Sequence, residues 1–121
     1  MVVLDASALL AYLRQETGHE AVRQALEAGA ICSAANWSET MQKILQRGDD
    51  WVAMRQLLMS YQLSIEPVTM SDAEQAAAIW LTNQSLSLGD RLCLSLAHRL
   101  GAVALTADAA WGESPMITQL R

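Results

Sequence analysis

Four acidic residues, Asp5, Glu39, Asp90 and Asp108, stand where an apolar run ends or a helical pattern begins. Carboxylates gathered on one edge of a sheet repel each other unless a cation neutralises them. Hard oxygen ligands without His or Cys favour magnesium or manganese over zinc. Such a cluster suits phosphoryl-ester chemistry, in which one or two metals, about 3.5–4 Å apart if two, bind the scissile phosphate and activate a water. Small polar residues stand beside the acids: Ser7 by Asp5, Asn36 by Glu39, Thr106 by Asp108. They would orient carboxylates or metal-bound waters, and ordinary capping or loop hydrogen bonding accounts for them equally well. Asp5 by itself also has two readings, because an aspartate at a helix N-cap has the same appearance.

The elements that must position these residues follow from periodicity. Val2, Val3 and Leu4 form an apolar run without polar alternation, the pattern of a strand buried on both faces of a parallel sheet. Asp5 then ends a central strand, the place where open α/β sheets bind ligands. Helices are expected over Ala6–Arg14, His19–Ala28, Ala35–Arg47 and Trp51–Gln62, with Gly18, Gly29 and Gly48 as stops. Asn36 and Glu39 share a face near the first turn of the third. A fifth helix begins at Thr69 or Ser71 and runs to about Asn83, with Ala73, Ala76, Ala77 and Trp80 inward and Glu74 at capping-box spacing from Ser71. Asp90 opens a sixth over Arg91–Leu100. Strands are expected at Ala30–Ser33, Leu63–Val68 and Ala102–Leu105, with a short last one at Met116–Leu120. Pro67 places the Leu63–Val68 strand at a sheet edge. Strands alternating with helices imply a three-layer α/β/α fold with a mostly parallel central sheet. Residues 1–121 read as a single domain without repeats or linkers.

Composition narrows the classes. The chain has 121 residues, 52% of them hydrophobic, which excludes disorder and supports a real core. No apolar run approaches the ~20 residues of a membrane span, and the start lacks the pattern of a secretory leader. Cys32 and Cys93 have no metal-ligand spacing and read as buried free thiols in a reducing, cytoplasmic setting. The net charge of −5 argues at first against a nucleic-acid partner. Setting the four site acids aside leaves nine of the thirteen acidic residues against eight basic ones, so the excess is mostly the proposed metal site. A bound cation would reverse the local field.

Four stretches bring in a family: Val3-Leu4-Asp5-Ala6-Ser7, Asn36-Trp37-Ser38-Glu39, the run from Ser87 to Ala97 through Gly89-Asp90-Arg91, and Leu105-Thr106-Ala107-Asp108. Together they resemble the PIN-domain ribonucleases, and among these the VapC-like toxins of type II toxin–antitoxin systems. The likeness spans the whole chain in order, and the Ser87–Ala97 run is its most specific part. It implies a PIN-like fold and a magnesium-dependent endoribonuclease, with manganese as a substitute ion, acting on structured cellular RNA such as tRNA or rRNA. The family's acids carry over as Asp5, Glu39, Asp90 and Asp108, with Asp5, Asp90 and Asp108 as metal ligands. The resemblance further implies a cognate antitoxin and either a homodimer or a toxin–antitoxin hetero-oligomer. This chain departs in its compact loops and in Arg91 directly after Asp90.

Arg91, Lys43 and Arg14 are candidates for RNA backbone contacts, with solvated helix faces as the alternative. RNA recognition by shape, in a loop or single strand, is expected. Trp37 and Trp111 flank the site and read either as stacking platforms or as core. The stripe Trp51, Met54, Leu58 reads as core or as a groove wall for an antitoxin segment. His19 and His98 take no catalytic part. Two other functions compete: an RNA-processing PIN nuclease without an antitoxin, and a non-catalytic metal-binding regulatory module. Receiver modules need paired acids after the first strand and a late lysine, whereas here Asp5 stands alone and the single lysine is Lys43.

Overall fold

Val3 and Leu4 point to opposite faces of a strand, and the chain is layered around that alternation. The computed structural model describes residues 1–120. Five strands, β1 (Val2–Leu4), β2 (Ile31–Ser33), β3 (Ser64–Glu66), β4 (Val103–Thr106) and β5 (Ile117–Gln119), form one sheet in the order β3-β2-β1-β4-β5. Every pairing is parallel, with Val3 opposite both Ile31 and Ala104 and Leu4 opposite Leu105. β1 is therefore central, as its unbroken apolar run requires. Pro67 follows β3 at the sheet edge, where no ladder partner needs its missing N–H.

Helices α1 (Ala6–Leu13), α2 (His19–Glu27), α3 (Ala34–Gln46), α4 (Trp51–Met59), α5 (Met70–Ile79) and α6 (Leu88–Leu100) complete the three layers. Leu4 packs with Leu9, Val22, Leu26, Cys32, Leu58 and Leu105 on one face of the sheet. Val3 packs with Ile31, Cys93, Leu96, Ala104 and Trp111 on the other. α3 touches both α1 and α6, so it bridges the two sides at the edge where β1 ends. Both cysteines are buried free thiols. The Tyr12 and Tyr61 hydroxyls meet at 2.6 Å and tie the end of α1 to the turn after α4.

At two helix starts the structure chooses the cap, between the two expected candidates at α5 and away from the expected residue at α6. α5 is capped by Thr69, not Ser71: Thr69 Oγ1 accepts the Asp72 N–H at 3.0 Å and Asp72 Oδ2 accepts the Thr69 N–H at 3.1 Å. Ser71 and Glu74 form no capping box. The inward face of α5 consequently runs through Asp72, Ala76 and Ile79, while Ala73 and Ala77 are exposed and Trp80, beyond the helix, is 46% exposed. α6 starts at Leu88 with Ser87 as its cap, and Asp90 closes the box from inside the first turn rather than opening the helix. In both places the backbone chose the hydroxyl three residues ahead of an aspartate.

The α5–α6 pair is locked by a bidentate contact from Arg99 to the buried Asp72, at 2.8 and 3.1 Å. Burial pushes the Asp72 carboxyl up, but the bonds from Arg99 and Thr69 outweigh it and hold the carboxyl below its usual range. Arg99→Ala is expected to leave that carboxylate half-satisfied in a buried place and to destabilise the protein. A lowered urea midpoint with an unchanged slope checks this.

Candidate active site

Asp5 sits where β1 hands over to α1 and is 2% exposed. It is the N-cap of α1, with Oδ1 accepting the Ala8 N–H at 2.8 Å. The capping and site readings of this residue therefore coincide. The Ser7 hydroxyl lies 2.8 and 2.9 Å from its two oxygens, and the Thr106 hydroxyl donates to Oδ2 at 2.6 Å. Each hydroxyl also accepts a backbone N–H from the loop after β4: Ala107 to Ser7 at 2.9 Å, and Asp108 to Thr106 at 3.0 Å. Two short side chains thus fasten Asp5 to a loop about a hundred residues away in the chain. Burial pushes the Asp5 carboxyl up to about 6. The bonds from Thr106, Ala8 and Ser7 pull it down, and the neighbouring Asp90 charge pushes it up again.

Glu39 comes from the second turn of α3 and reaches the start of α6. Asn36, 1% exposed, donates through Nδ2 to Glu39 Oε1 at 2.7 Å and to the Gly89 carbonyl at 3.1 Å. Its Oδ1 is buried without a partner. Asp90 Oδ2 accepts the Ser87 N–H at 3.0 Å. Beneath these groups lies Cys93, its thiol raised well above the usual range by burial first and then by the charges of Asp5, Asp90 and Glu39 among its neighbours.

Asp108 is held differently. Its Oδ1 accepts the Ala110 N–H at 2.9 Å and caps the short 3-10 helix Ala109–Trp111. The Gln119 amide on β5 donates to the carbonyls of Asp108 and Gly112, both at 3.0 Å, and pins this loop. Ser7, Asn36 and Thr106 lie beside the acids, each by a hydrogen bond. Arg91 is directed elsewhere. Its guanidinium donates to the carbonyls of Ala76 at 2.8 Å and Leu86 at 3.4 Å, so it braces α6 against α5. Lys43 is exposed one helical turn beyond Glu39. Arg14, at the C-terminus of α1, has a buried Nε without a partner. Trp37 packs edge-on against Trp51 at 5.2 Å, and Trp111 is buried among the core residues. Packing accounts for both tryptophans. In the Trp51, Met54, Leu58 stripe, Leu58 is fully buried and the other two are half-buried.

Among the described residues, no three acidic, histidine or cysteine side chains stand close enough to close round a metal ion. The donor set nevertheless fits a hard divalent cation. Among the described residues, Asp90 Oδ1 and Glu39 Oε2 accept no hydrogen bond, and Asn36 Oδ1 is orphaned beside them. Sequence reasoning missed Gly89 and Gln119, whose residue types carry no chemistry. A signal for Gly89 was its place immediately before Asp90 in the most specific run; none pointed to Gln119.

An all-parallel α/β/α sandwich with carboxylates beyond the end of its central strand is shared by several domain classes, and the family comparison decides among them. The chain belongs to the PIN domain family, whose profile matches residues 2–113. The structure is similar to that of a toxin–antitoxin complex from Klebsiella pneumoniae, with a TM-score of 0.80 at 19% identity, covering 100% of this chain and 98% of that one. It is also similar to the sarcin-ricin loop cleaving toxin VapC20 of Mycobacterium tuberculosis, with a TM-score of 0.72 at 18% identity over 94% and 97% of the two chains. A third likeness is to the DNA-bound VapBC of Salmonella typhimurium, with a TM-score of 0.73 at 13% identity over 99% and 98%. Comparison with curated protein sequences yields no relative. No helix among the described residues is long and apolar enough to cross a membrane.

Proposed function

We propose that this protein is a divalent-metal-dependent endoribonuclease, and that it acts as the toxin of a toxin–antitoxin pair. The observation that carries the catalytic reading is the buried Asp5 carboxylate, pushed up to about 6 by burial above all and, in part, by Asp90. A buried acid in the field of a second carboxylate is unfavourable on stability grounds alone, and such perturbed groups cluster at functional sites. Family membership over residues 2–113 and the toxin structures of matching fold support the same reading.

Asp5, Asp90 and Asp108 would hold the ion, and Glu39 completes the acidic set. Magnesium or manganese held there would supply charge neutralisation at the phosphate and a more acidic attacking water. The protein's own part is placement. Ser7 and Thr106 fix both oxygens of Asp5 and couple it to the Ala107–Asp108 backbone. Asn36 holds Glu39 against α6. The α6 N-terminus, carrying Asp90 in its first turn, keeps negative charge favourable at that edge. Lys43, exposed one turn along from Glu39, would meet the RNA backbone. An antitoxin supplied by the same cell would cover this acidic edge, and the assembly would be a hetero-oligomer in the cytoplasm.

The test is cleavage of total cellular RNA by the purified protein with magnesium, with EDTA, and with manganese added after EDTA. Cleavage is expected to fall at least about 100-fold in EDTA and to return with manganese. Cleavage that persists in chelator would overturn the metal mechanism. Binding of manganese without cleavage of any RNA would favour a regulatory metal-binding module.

A further inference from the structure

We propose that Gly89 is a positioning residue: its missing side chain leaves the space in which the Glu39 carboxylate lies beside the first turn of α6, next to Asp90. This rests on the nuclease reading above and adds a residue to it. A Cβ at position 89 would fall inside contact distance of Glu39 Oε1, 2.7 Å from its Cδ and 2.8 Å from its Oε2. The whole carboxylate, not one tip of it, occupies the place a side chain would take. Backbone conformation does not explain the glycine, because Gly89 is not among the positive-φ glycines and sits in regular helix. Alanine is the more favourable helix residue, so α6 carries a glycine in its first turn against local preference.

Asn36 supplies the second observation. Its single amide nitrogen bonds Glu39 Oε1 and the Gly89 carbonyl together. With 1% exposure the Asn36 side chain has no room to swing away. One buried amide and one absent Cβ thereby hold the Glu39 carboxylate against the first turn of α6.

Gly89→Ala is expected to fold with a thermal midpoint equal to or above that of the wild type. The atoms in the way belong to the end of a flexible side chain, which turns aside, and alanine favours the helix. Glu39 loses its seat and Asn36 loses one of its two acceptors. RNA cleavage is expected to fall roughly 10–100-fold, the usual effect of losing a group that orients a ligand. Manganese binding, followed by calorimetric titration, weakens in parallel. In the metal-free protein the Asn36 side-chain amide resonance shifts. In a Glu39→Ala background nothing remains to be displaced, and Gly89→Ala adds little further loss. An unmoved Asn36 resonance together with wild-type cleavage in Gly89→Ala overturns the proposal. So does an equal fractional loss in both backgrounds. If the wild-type protein neither cleaves RNA nor binds manganese, the nuclease reading falls by itself, while the Asn36 resonance still decides whether Gly89 seats Glu39.

Discussion

Asp5→Asn is expected to abolish RNA cleavage, with a loss of at least about 1000-fold, and to make the metal-free protein more stable at neutral pH. The activity loss follows from removing the charge of the acid most deeply placed in the site, 2% exposed and held by three donors, the Ala8 N–H and the Ser7 and Thr106 hydroxyls. Removing a single preorganised electrostatic group alone costs ~100–1000-fold, and in the proposed site this one would also hold the ion. The gain in stability follows from the same burial. The Asp5 carboxyl ionises at about 6 in the folded chain against 3.8 in the unfolded one. Between those values the folded state binds more protons, so stability falls as pH rises through that window. Above it, the ionised carboxylate costs the fold up to about 3 kcal/mol. Asparagine keeps the Ala8 cap and carries no charge. Its thermal midpoint in chelator at pH 7.5 is expected to be higher by roughly 5–10 °C, and to change little between pH 4 and 7 where the wild type declines. Wild-type cleavage by Asp5→Asn would falsify the site assignment. Equal midpoints across that pH range would mean that Asp5 is not a buried, ionising group.

Asp90→Asn is expected to remove cleavage to a similar extent while moving stability the other way. Asp90 closes the capping box of α6 and puts negative charge in its first turn. Asparagine still accepts the Ser87 N–H but forfeits the interaction with the helix dipole, a loss of about 0.5–1 kcal/mol. A second consequence distinguishes a shared site from two separate acids. Because the Asp90 charge raises the Asp5 carboxyl, neutralising it lowers the Asp5 pKa from about 6. Carbon-detected NMR titration of the Asp5 carboxyl in Asp90→Asn, without metal, reads that shift directly. An Asp5 that titrates as in the wild type would show that the two carboxylates do not share a field.

The opposite stability signs of the two variants reflect opposite surroundings. Asp5 lies under the sheet edge with Cys32, Cys93 and Thr106 around it, and the charge is opposed by desolvation. Asp90 sits at an N-terminus that welcomes negative charge. One site thus contains an acid that the fold tolerates at a cost and an acid that the fold favours, which is the pattern expected where function constrains stability.

Much of this was legible along the chain. The strand Val2–Leu4 and its central place follow from three consecutive apolar residues, and the alternation of elements follows from periodicity broken by glycines. Asp5, Glu39 and Asp90 were each visible as a carboxylate at or just past the junction of two elements. The helix starts at α5 and α6 were less legible, because Thr69, Ser71 and Ser87 are all competent caps and the choice rests on a few degrees of backbone geometry. Arg91 looked available for RNA, since nothing in its own stretch reveals that the Ala76 carbonyl stands above it.

The sequence by itself determined which groups could do chemistry, in what order they come, and that they fall where strands end and helices begin. These are local matters of residue type and spacing. Only the tertiary structure decided that Thr106 and Ser7 both grip Asp5, that burial raises the Asp5 carboxyl, and that Glu39 rests against a glycine fifty residues on. Those outcomes depend on the strand order β3-β2-β1-β4-β5, which brings β4 beside β1. Desolvation and hydrogen-bond geometry are properties of what surrounds a group in space, and no local pattern in the chain encodes them.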